Sequence, residues 1–517
     1  MNRKDLRMAE HKVVVIGAGM AGLVSALQLA NAGLPVTVVD KAAGPGGKIR
    51  QLMPNGVAVD SGPTVFTMRW VFDQILAELG TKLESELTIH PLNVLARHFW
   101  EDGSQLDLFA DPAQSLDAVA RFAGRAEAER FKHFCQTARQ VYDTLEGPFI
   151  KSPSPTMGQM MSSLGPRGLA TLASVGPMRS LWNTLGRHFT DQRLRQLFAR
   201  YATYCGSSPW EAPATLMLIA QVEMDGVWAV EGGMHALAAC LMRLGQARGV
   251  NYLFNNECER IELHQGKVSG VRLAKGDSLR ADSVVFNGDI AALRKGLLGP
   301  SLQKSVTDKL PPRSLSAVTW SMHADTGGMS LDRHNVFFRN TYASEFEDIF
   351  THGRLPKQPT VYVCAQDRGT GTALDGAERL LCLVNAPARG DQPQSEDELQ
   401  ACAQSSQALM AASGLHLKLE STASCIRTTP QDFHQLFPAT GGALYGQATH
   451  GWMAAFARSN ARSLLPGLYL AGGSVHPGPG VPMAAMSGRL AGAALMADLG
   501  LTSLSRKTVT SGGTLMH

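Results

Sequence analysis

Three glycines, Gly17, Gly19 and Gly22, stand at the spacing of a diphosphate-binding turn. Gly17 permits the tight bend, Gly19 lets a pyrophosphate approach the backbone, and Gly22 lets a helix pack closely on the preceding strand. Ala18 and Ala21, equally small, fill the positions between. A helix that starts here offers free N–H groups and the positive end of its dipole to the phosphates. Asp40 follows Gly22 by eighteen positions, at the end of a second strand, and is placed to accept hydrogen bonds from ribose hydroxyls; Lys41 beside it joins the same cofactor-binding set. Gly46-Gly47-Lys48 adds a second glycine loop, in which Lys48 would neutralise part of the pyrophosphate charge. NAD-binding folds have no need of that extra element, so the pair of loops points to FAD. A second constellation lies near the C-terminus, where a strand leads into Gly472-Gly473, then a Pro/Gly-fixed loop, then a helix opening at Val481-Pro482-Met483. A helix end of that kind stabilises negative charge on an isoalloxazine ring, and Val481 to Met483 would supply the nearest N–H groups.

These residues need a particular scaffold. Val13 to Ile16 is a β-branched apolar run, as expected of a parallel strand buried on both faces, and Val36 to Val39 repeats the pattern after a helix ended by Gly33. An α/β fold follows: a Rossmann-type FAD-binding domain interleaved with an α+β substrate domain and a helical lid. The pieces 11–70, 225–295 and 440–502 are read as the FAD-binding domain. Residues 71–224 and 296–439 are read as the substrate and helical domain, with 70–225 mainly helical, and 503–517 as a flexible tail. Strands are expected near 252–262 and 267–273. A chain of 517 residues, 44% of them hydrophobic, is long enough for two or three lobes. A net charge of +4 lacks the basic surplus of a nucleic-acid binder. The eight cysteines form neither a C-x-x-C pair nor a metal-spaced cluster, so no metal site is expected and the thiols are read as free in a reducing cytosol. Arg3, Lys4 and Arg7 followed by the apolar run to Ala30 mimic a signal peptide or membrane span, but the glycines inside the run and the strand after it favour the nucleotide-binding reading.

The same residues carry a family resemblance. Val13–Gly22, Gly46-Gly47-Lys48, Asp60-Ser61-Gly62-Pro63-Thr64, Gly232-Gly233-Met234, Ala281-Asp282 and the His476-Pro477-Gly478 loop resemble the bacterial carotenoid desaturases of the phytoene-desaturase type. Val481-Pro482-Met483-Ala484 with Ser487-Gly488-Arg489, and Tyr445 to Trp452, resemble its acyclic 1-hydroxycarotenoid 3,4-desaturase branch; phytoene desaturases usually have Gly where this chain has Met483. The resemblance implies a two-lobed FAD enzyme that places a C3–C4 double bond in a 1-hydroxy or 1-methoxy carotenoid by hydride transfer to the flavin. It implies FAD contacts from Gly17, Gly19, Gly22, Asp40, Lys48, Gly472, Gly473 and Val481 to Met483, with Cys258 against the adenine through its backbone. The family commonly has Glu in place of Asp40, and many wider relatives carry an acid in place of Gly473.

A carotenoid C–H is not acidic, so the cofactor must do the hard step while the protein aligns the chain and excludes water. Trp182, Trp210, Trp228, Phe337 and Phe338 are candidates for an aromatic wall. No Ser/His/Asp constellation stands out; Glu211, Glu231 and His476 could take the proton, and His476 is the best placed of them, as a weak catalytic candidate. The electron acceptor is oxygen or a quinone. Since the substrate lives in lipid, peripheral contact of a cytoplasmic protein with the inner or intracytoplasmic membrane is expected. Residues 151–200 carry seven basic side chains against the single acid Asp191, with interspersed Met and Leu, and are read as that surface. The alternatives are a phytoene or neurosporene desaturase and an FAD amine oxidase, although no cysteine follows Cys425 to tether a flavin near the last motif.

Overall fold

The computed structural model describes residues 10–176, 178–306, 311–371, 374 and 376–501. Arg3, Lys4 and Arg7, and the stretch 503–517 read above as a flexible tail, lie outside the described residues.

The fold is α/β. Its five-stranded sheet runs in the order Leu468–Leu470, Ser283–Phe286, Val13–Ile16, Val36–Val39, Asn251–Leu253, with every neighbour parallel. Val13 pairs with Ser283 on one side and Val36 on the other. Such strands must be apolar throughout because helices cover both faces, and Val13, Val14, Val15, Val284 and Val285 are all buried. Chain direction around the sheet reverses beside the first strand. The carboxyl ends of the strands there open the crevice where open α/β sheets bind ligands. Gly17, Asp40, Asn287 and Ala471 are the residues that follow four of these strands.

Two helices pack against each other on this sheet, Met20–Asn31 and Val481–Asp498. Their closeness depends on small residues one turn apart. A Cβ on Gly488 would stand 2.2 Å from the Ala21 carbonyl oxygen, and one on Gly492 would stand 2.4 Å from Gln28 Oε1. The helix that bears the last motif is therefore seated directly on the helix that bears the first.

The strand expected near 252–262 is two strands. Asn251–Leu253 closes the parallel sheet, and Cys258–His264 begins a separate antiparallel meander with Lys267–Leu273 and Ser278–Arg280. The polar run Asn255-Asn256-Glu257 makes the break: Asn255 has φ +56° and its N–H donates to Ala42, while the Asn256 N–H donates to the Asp40 carbonyl.

An eight-stranded mixed sheet forms the second layer. Its main path is Leu415–Leu419, Ser316–Gly328, Glu378–Ala386, Val361–Ala365, His334–Phe338, Val94–Trp100, Gln105–Phe109. The last two strands lie inside 70–225, which is otherwise mainly helical as expected. Val94–Trp100 pairs in parallel with His334–Phe338, and its aromatic end packs Trp100 on Phe338 with ring centroids 5.3 Å apart. Alternation divides this sheet's faces. Val318, Leu380, Cys382 and Val384 pack under the helix Glu396–Ala412, and Thr319, Leu381, Leu383 and Tyr362 turn to the opposite side. Helices between Pro112 and Met224 cover that side around a stack of Phe131, Phe134, Phe189 and Phe198.

Candidate functional site

Two helix N-termini and the inner face of the mixed sheet enclose one cavity of about 1130 Å³ with a predominantly apolar wall. Ligand pockets run about 300–1,000 Å³, so there is room for a large cofactor and a further ligand. The helix Met20–Asn31 starts at Gly19, and the helix Val481–Asp498 at Gly480; neither has a side-chain cap or an acid in its first turn. Both starting points line the cavity. Uncapped N–H groups and a positive dipole end favour anionic or electron-rich ligands at each.

The glycine turn is closed by sterics. A Cβ on Gly22 would lie 1.9 Å from the Gly17 carbonyl oxygen, and Gly17 itself has φ +102°. The second glycine loop lies alongside: the Gly46 N–H donates to the Ala18 carbonyl at 2.8 Å, and a Cβ on Gly47 would meet the Gly19 Cα at 3.1 Å. These bare backbone surfaces fit a diphosphate, which needs close approach and N–H donors rather than side chains.

The expected site residues fall into three zones. At the nucleotide end, Asp40, Lys41 and Cys258 line the cavity. Asp40 already accepts from the Ala18 N–H at 2.6 Å and the Ala42 N–H at 2.8 Å, so its carboxylate ties the glycine turn to the end of the second strand. Lys41 donates to the Gln435 carbonyl, and burial pushes the Cys258 thiol up to about 12. In the middle, Gly17, Gly19, Ala21, Gly47, Lys48, Gly472, Gly473, Val481, Pro482 and Met483 share the wall. Ala18 and Gly22 stand behind it: Ala18 is fully buried, and the Gly22 N–H donates to Asn287 Oδ1 at 2.9 Å. The Lys48 ammonium is not a solvated loop charge. It donates to the Leu444 carbonyl at 2.6 Å and lies over the Phe437 ring, and burial lowers its pKa against the opposing pull of Asp289.

The third zone belongs to the mixed sheet and the helical layer, and here the expected aromatic wall is corrected. None of Trp182, Trp210, Trp228, Phe337 and Phe338 lines the cavity. Phe337 and Phe338 are fully buried core, and Trp182 and Trp210 stack on each other at 4.6 Å one layer back. The wall is made instead by Tyr204, Tyr342, Tyr362 and Tyr445 with Phe149.

His476 is corrected as well. It is buried, does not line the cavity, bonds through Nε2 to the Ser152 carbonyl at 2.9 Å, and packs edge-on to Phe149 at 5.1 Å. Burial takes its pKa down to about 4 against the two backbone acceptors, Ser152 and Phe149, that favour the charged form. The ring is therefore a neutral brace between the last motif and the helical layer. Below pH 6.5 the unfolded chain binds a proton that the folded ring refuses until pH 4. Stability from this group is complete above pH 6.5 and is lost as pH falls toward 4. A His476→Phe variant should remove about 2 kcal/mol of the stability change between pH 7 and pH 5; denaturant unfolding at the two pH values measures it. Glu211 pairs with His450, and Glu231 stands 3.6 Å from His90; neither reaches the cavity wall.

Three contributors were not picked out from the sequence. Asn287, at the end of Ser283–Phe286, accepts from Gly22 N–H and donates to the Ala471 carbonyl at 3.2 Å, so one amide joins the first and last motifs. Its signal was its place, since a polar residue directly after a buried parallel strand sits at the ligand crevice. Asp289, two residues on, caps the next helix and lines the cavity. Arg458 is buried and donates to the carbonyls of Gly473 and Gln447, each at 3.0 Å; burial lowers its pKa to about 10. Nothing in its local sequence marks it. Two motif pieces prove to be each other's support: the Asp60 carboxylate accepts from the Met234 N–H, and a Cβ on Gly233 would meet Asp60 Oδ2 at 2.2 Å.

Comparison with known proteins places this geometry. Residues 20–496 match the family described as flavin containing amine oxidoreductase. A hydroxyneurosporene desaturase of Rubrivivax gelatinosus is 59% identical over 97% of this chain and 96% of its own length. A 1-hydroxycarotenoid 3,4-desaturase of a Flavobacterium is 30% identical over 93% and 98%. Among solved structures, an oxidoreductase from Methanosarcina mazei superposes with a TM-score of 0.59 over 94% of this chain and 100% of that one, at 16% identity, a likeness of fold. Fold, bare phosphate turns and relatives agree: this chain is an FAD-dependent oxidoreductase that belongs to the flavin-containing amine oxidoreductase family and, within it, to the carotenoid desaturases.

Proposed function

We propose that the protein removes two hydrogens across C3–C4 of an acyclic carotenoid that carries a hydroxyl or methoxyl at C1. The observation that carries this reading is the single cavity, which joins two uncapped helix N-termini to a long apolar wall. In this reading 11–70, 225–295 and 440–502 form the cofactor lobe, and 71–224 with 296–439 the substrate lobe. Gly17, Gly19 and the Gly46-Gly47 loop would hold the diphosphate, Asp40 and Cys258 the adenosine end, and Val481 to Met483 the ring. Bound there, the flavin supplies a two-electron oxidant. The protein's own share is to hold the polyene straight on Leu381, Leu383 and the tyrosine wall and to keep water from it. Each double bond releases two electrons and two protons, so oxygen or a quinone must close the turnover. The names of the relatives support the substrate, and the wall supports a hydrocarbon guest. Incubating the yellow holoprotein with liposomes and 1-hydroxyneurosporene should give a product with one more conjugated double bond; no product from that polyene, with turnover of an amine instead, would overturn the reading.

A lipid-borne guest implies a membrane surface. No helix among the described residues is long and apolar enough to cross a bilayer. The basic patch expected in 151–200 is only partly a free face: Arg167, Arg179 and Arg187 are exposed. Arg193 pairs with Asp191 and lies over Phe122, Arg195 lies over Trp182, and Leu181 and Leu185 are buried core. Exposed apolar side chains occur within that segment, where Met178 is 81% exposed, and at Trp452 and Met453, each about two-fifths exposed. The segments that carry them flank one strip, since Ser180 bridges to Pro213 and the Gly451 N–H donates to the Glu211 carbonyl. Phe149 and Ala455, behind this strip, line the cavity. In this reading the strip is the membrane surface. The double variant Met178→Glu, Trp452→Glu should bind anionic liposomes at least about tenfold more weakly in flotation, because two apolar anchors are replaced by repelled charges; unchanged flotation would move the surface elsewhere.

A further inference from the structure

Three hydroxyl groups in the cavity wall, those of Tyr342, Thr319 and Thr360, have no hydrogen-bond partner. Tyr342 is 6% exposed and Thr319 is 3% exposed; both line the cavity, and neither Tyr342 Oη nor Thr319 Oγ1 has a hydrogen-bond partner. A buried polar group left unpaired costs about 1–3 kcal/mol, so such groups call for an explanation. The Tyr342 ring cannot turn away to find one. It is held by Phe346 at 5.1 Å, Trp210 at 5.8 Å and Phe338 at 6.1 Å. Its neighbour Glu345 makes no bond to it; that carboxylate accepts from the Thr360 N–H at 3.0 Å and from Asn385 Nδ2 at 2.8 Å. Beside Thr319 on its sheet face stand Leu383, its partner in register, and Leu381, and both line the cavity. The wall is therefore hydrocarbon with fixed hydroxyls set into it.

We propose that Tyr342, at the start of the helix Tyr342–Phe346, together with Thr319 on the inner face of the mixed sheet, hydrogen-bonds the oxygen at C1 of the polyene and selects an oxygenated chain end over a hydrocarbon one. This rests on the substrate reading above. A hydroxyl or methoxyl oxygen accepts from either phenol or threonine O–H, which a hydrocarbon terminus cannot do. C1 is two bonds from C3, so an anchor on its oxygen also fixes which bond lies at the reacting position. Tyr342 and Thr319 are specificity-determining residues, not participants in bond breaking.

The test compares 1-hydroxyneurosporene with neurosporene in the full-length holoenzyme. Wild type should prefer the hydroxylated chain. Tyr342→Phe should lower kcat/KM for that chain by about tenfold, mostly through KM, and leave neurosporene within about threefold, since one neutral hydrogen bond is lost in only one of the two complexes. Thr319→Val, nearly equal in volume, should shift the ratio in the same direction and serves if the first variant does not fold. Cofactor content should not change in either. A wild-type enzyme that favours neurosporene overturns the substrate reading and this seat together. A wild-type preference for the hydroxylated chain that survives both substitutions overturns the seat alone.

Discussion

Replacing Gly22 with alanine is expected to leave the purified protein colourless. The added Cβ would stand 1.9 Å from the Gly17 carbonyl oxygen and 2.9 Å from Asn287 Oδ1. The first of these neighbours is backbone in the turn itself, so relief requires the helix Met20–Asn31 to lift away from the strand before it. Overpacking of that kind costs about 1–3 kcal/mol even where side chains can yield, and here the displaced atoms are those proposed above to cradle the diphosphate. Flavin affinity should fall by more than tenfold, which corresponds to about 1.4 kcal/mol. Gly44→Ala is the matched control, since a Cβ there meets nothing within 4 Å and its backbone needs no left-handed conformation. Visible absorbance per mole of each protein decides: if the Gly22 variant kept its flavin as fully as the Gly44 variant, the turn would not be the phosphate seat.

Such a prediction was available because short-range rules governed that part of the chain. The spacing of Gly17, Gly19 and Gly22 fixes a turn, and β-branched strands on either side fix its setting, so the FAD reading and the α/β fold could be made from residues a few places apart. The same holds for Val481 to Met483, whose helix begins where the Pro/Gly loop ends. The places where the reading failed depend on pairing across long separations. Val94–Trp100 has aromatic and charged residues intermixed; it forms a hairpin with Gln105–Phe109 and joins the large sheet because His334–Phe338, more than two hundred residues later, offers it an edge. The tyrosine wall was missed for the opposite reason. Tryptophan and phenylalanine attract attention as apolar bulk, yet bulk belongs in the core; a surface that must stay both apolar and open to a guest suits tyrosine, whose hydroxyl tolerates the cavity.

Charge was equally hard to place. The excess of arginine over 151–200 suggested a surface, but Arg193 and Arg195 spend their guanidinium groups on Asp191, Phe122 and Trp182. A count of charges along a segment says how many partners are needed and nothing about whether the fold supplies them. His476 shows the same limit at one residue. Its loop adjoins the last motif, but the ring turns outward to Ser152 and Phe149 and is neutral there, so proximity in sequence did not become proximity in chemistry.

Asn287 should prove the residue on which the two halves of the cofactor site depend. Its amide accepts from Gly22 N–H at 2.9 Å and donates to the Ala471 carbonyl at 3.2 Å, linking backbone groups nearly 450 positions apart. Asn287→Ala leaves both without that partner in a largely buried setting, where each unsatisfied group costs about 1–3 kcal/mol. Flavin binding should weaken by at least about thirtyfold, and the loss should exceed any loss of unfolding stability measured without cofactor, because the packed helices keep the two motifs together while the amide bridge sets the backbone groups at their tips. Asn287→Asp separates geometry from charge. A carboxylate would still accept from Gly22 but could not donate to Ala471, and it would place a negative charge beside the diphosphate seat at the mouth of a helix. If the amide acts by positioning alone, the aspartate variant should bind flavin better than the alanine variant. If the electrostatics of the seat dominate, it should bind worse, and the deficit should shrink as salt is raised. The second outcome is expected, because the N-terminal end of the helix Met20–Asn31 is kept free of acids in its first turn and bears no side-chain cap. Equal flavin affinity in Asn287→Ala and the unaltered protein would refute the bridge.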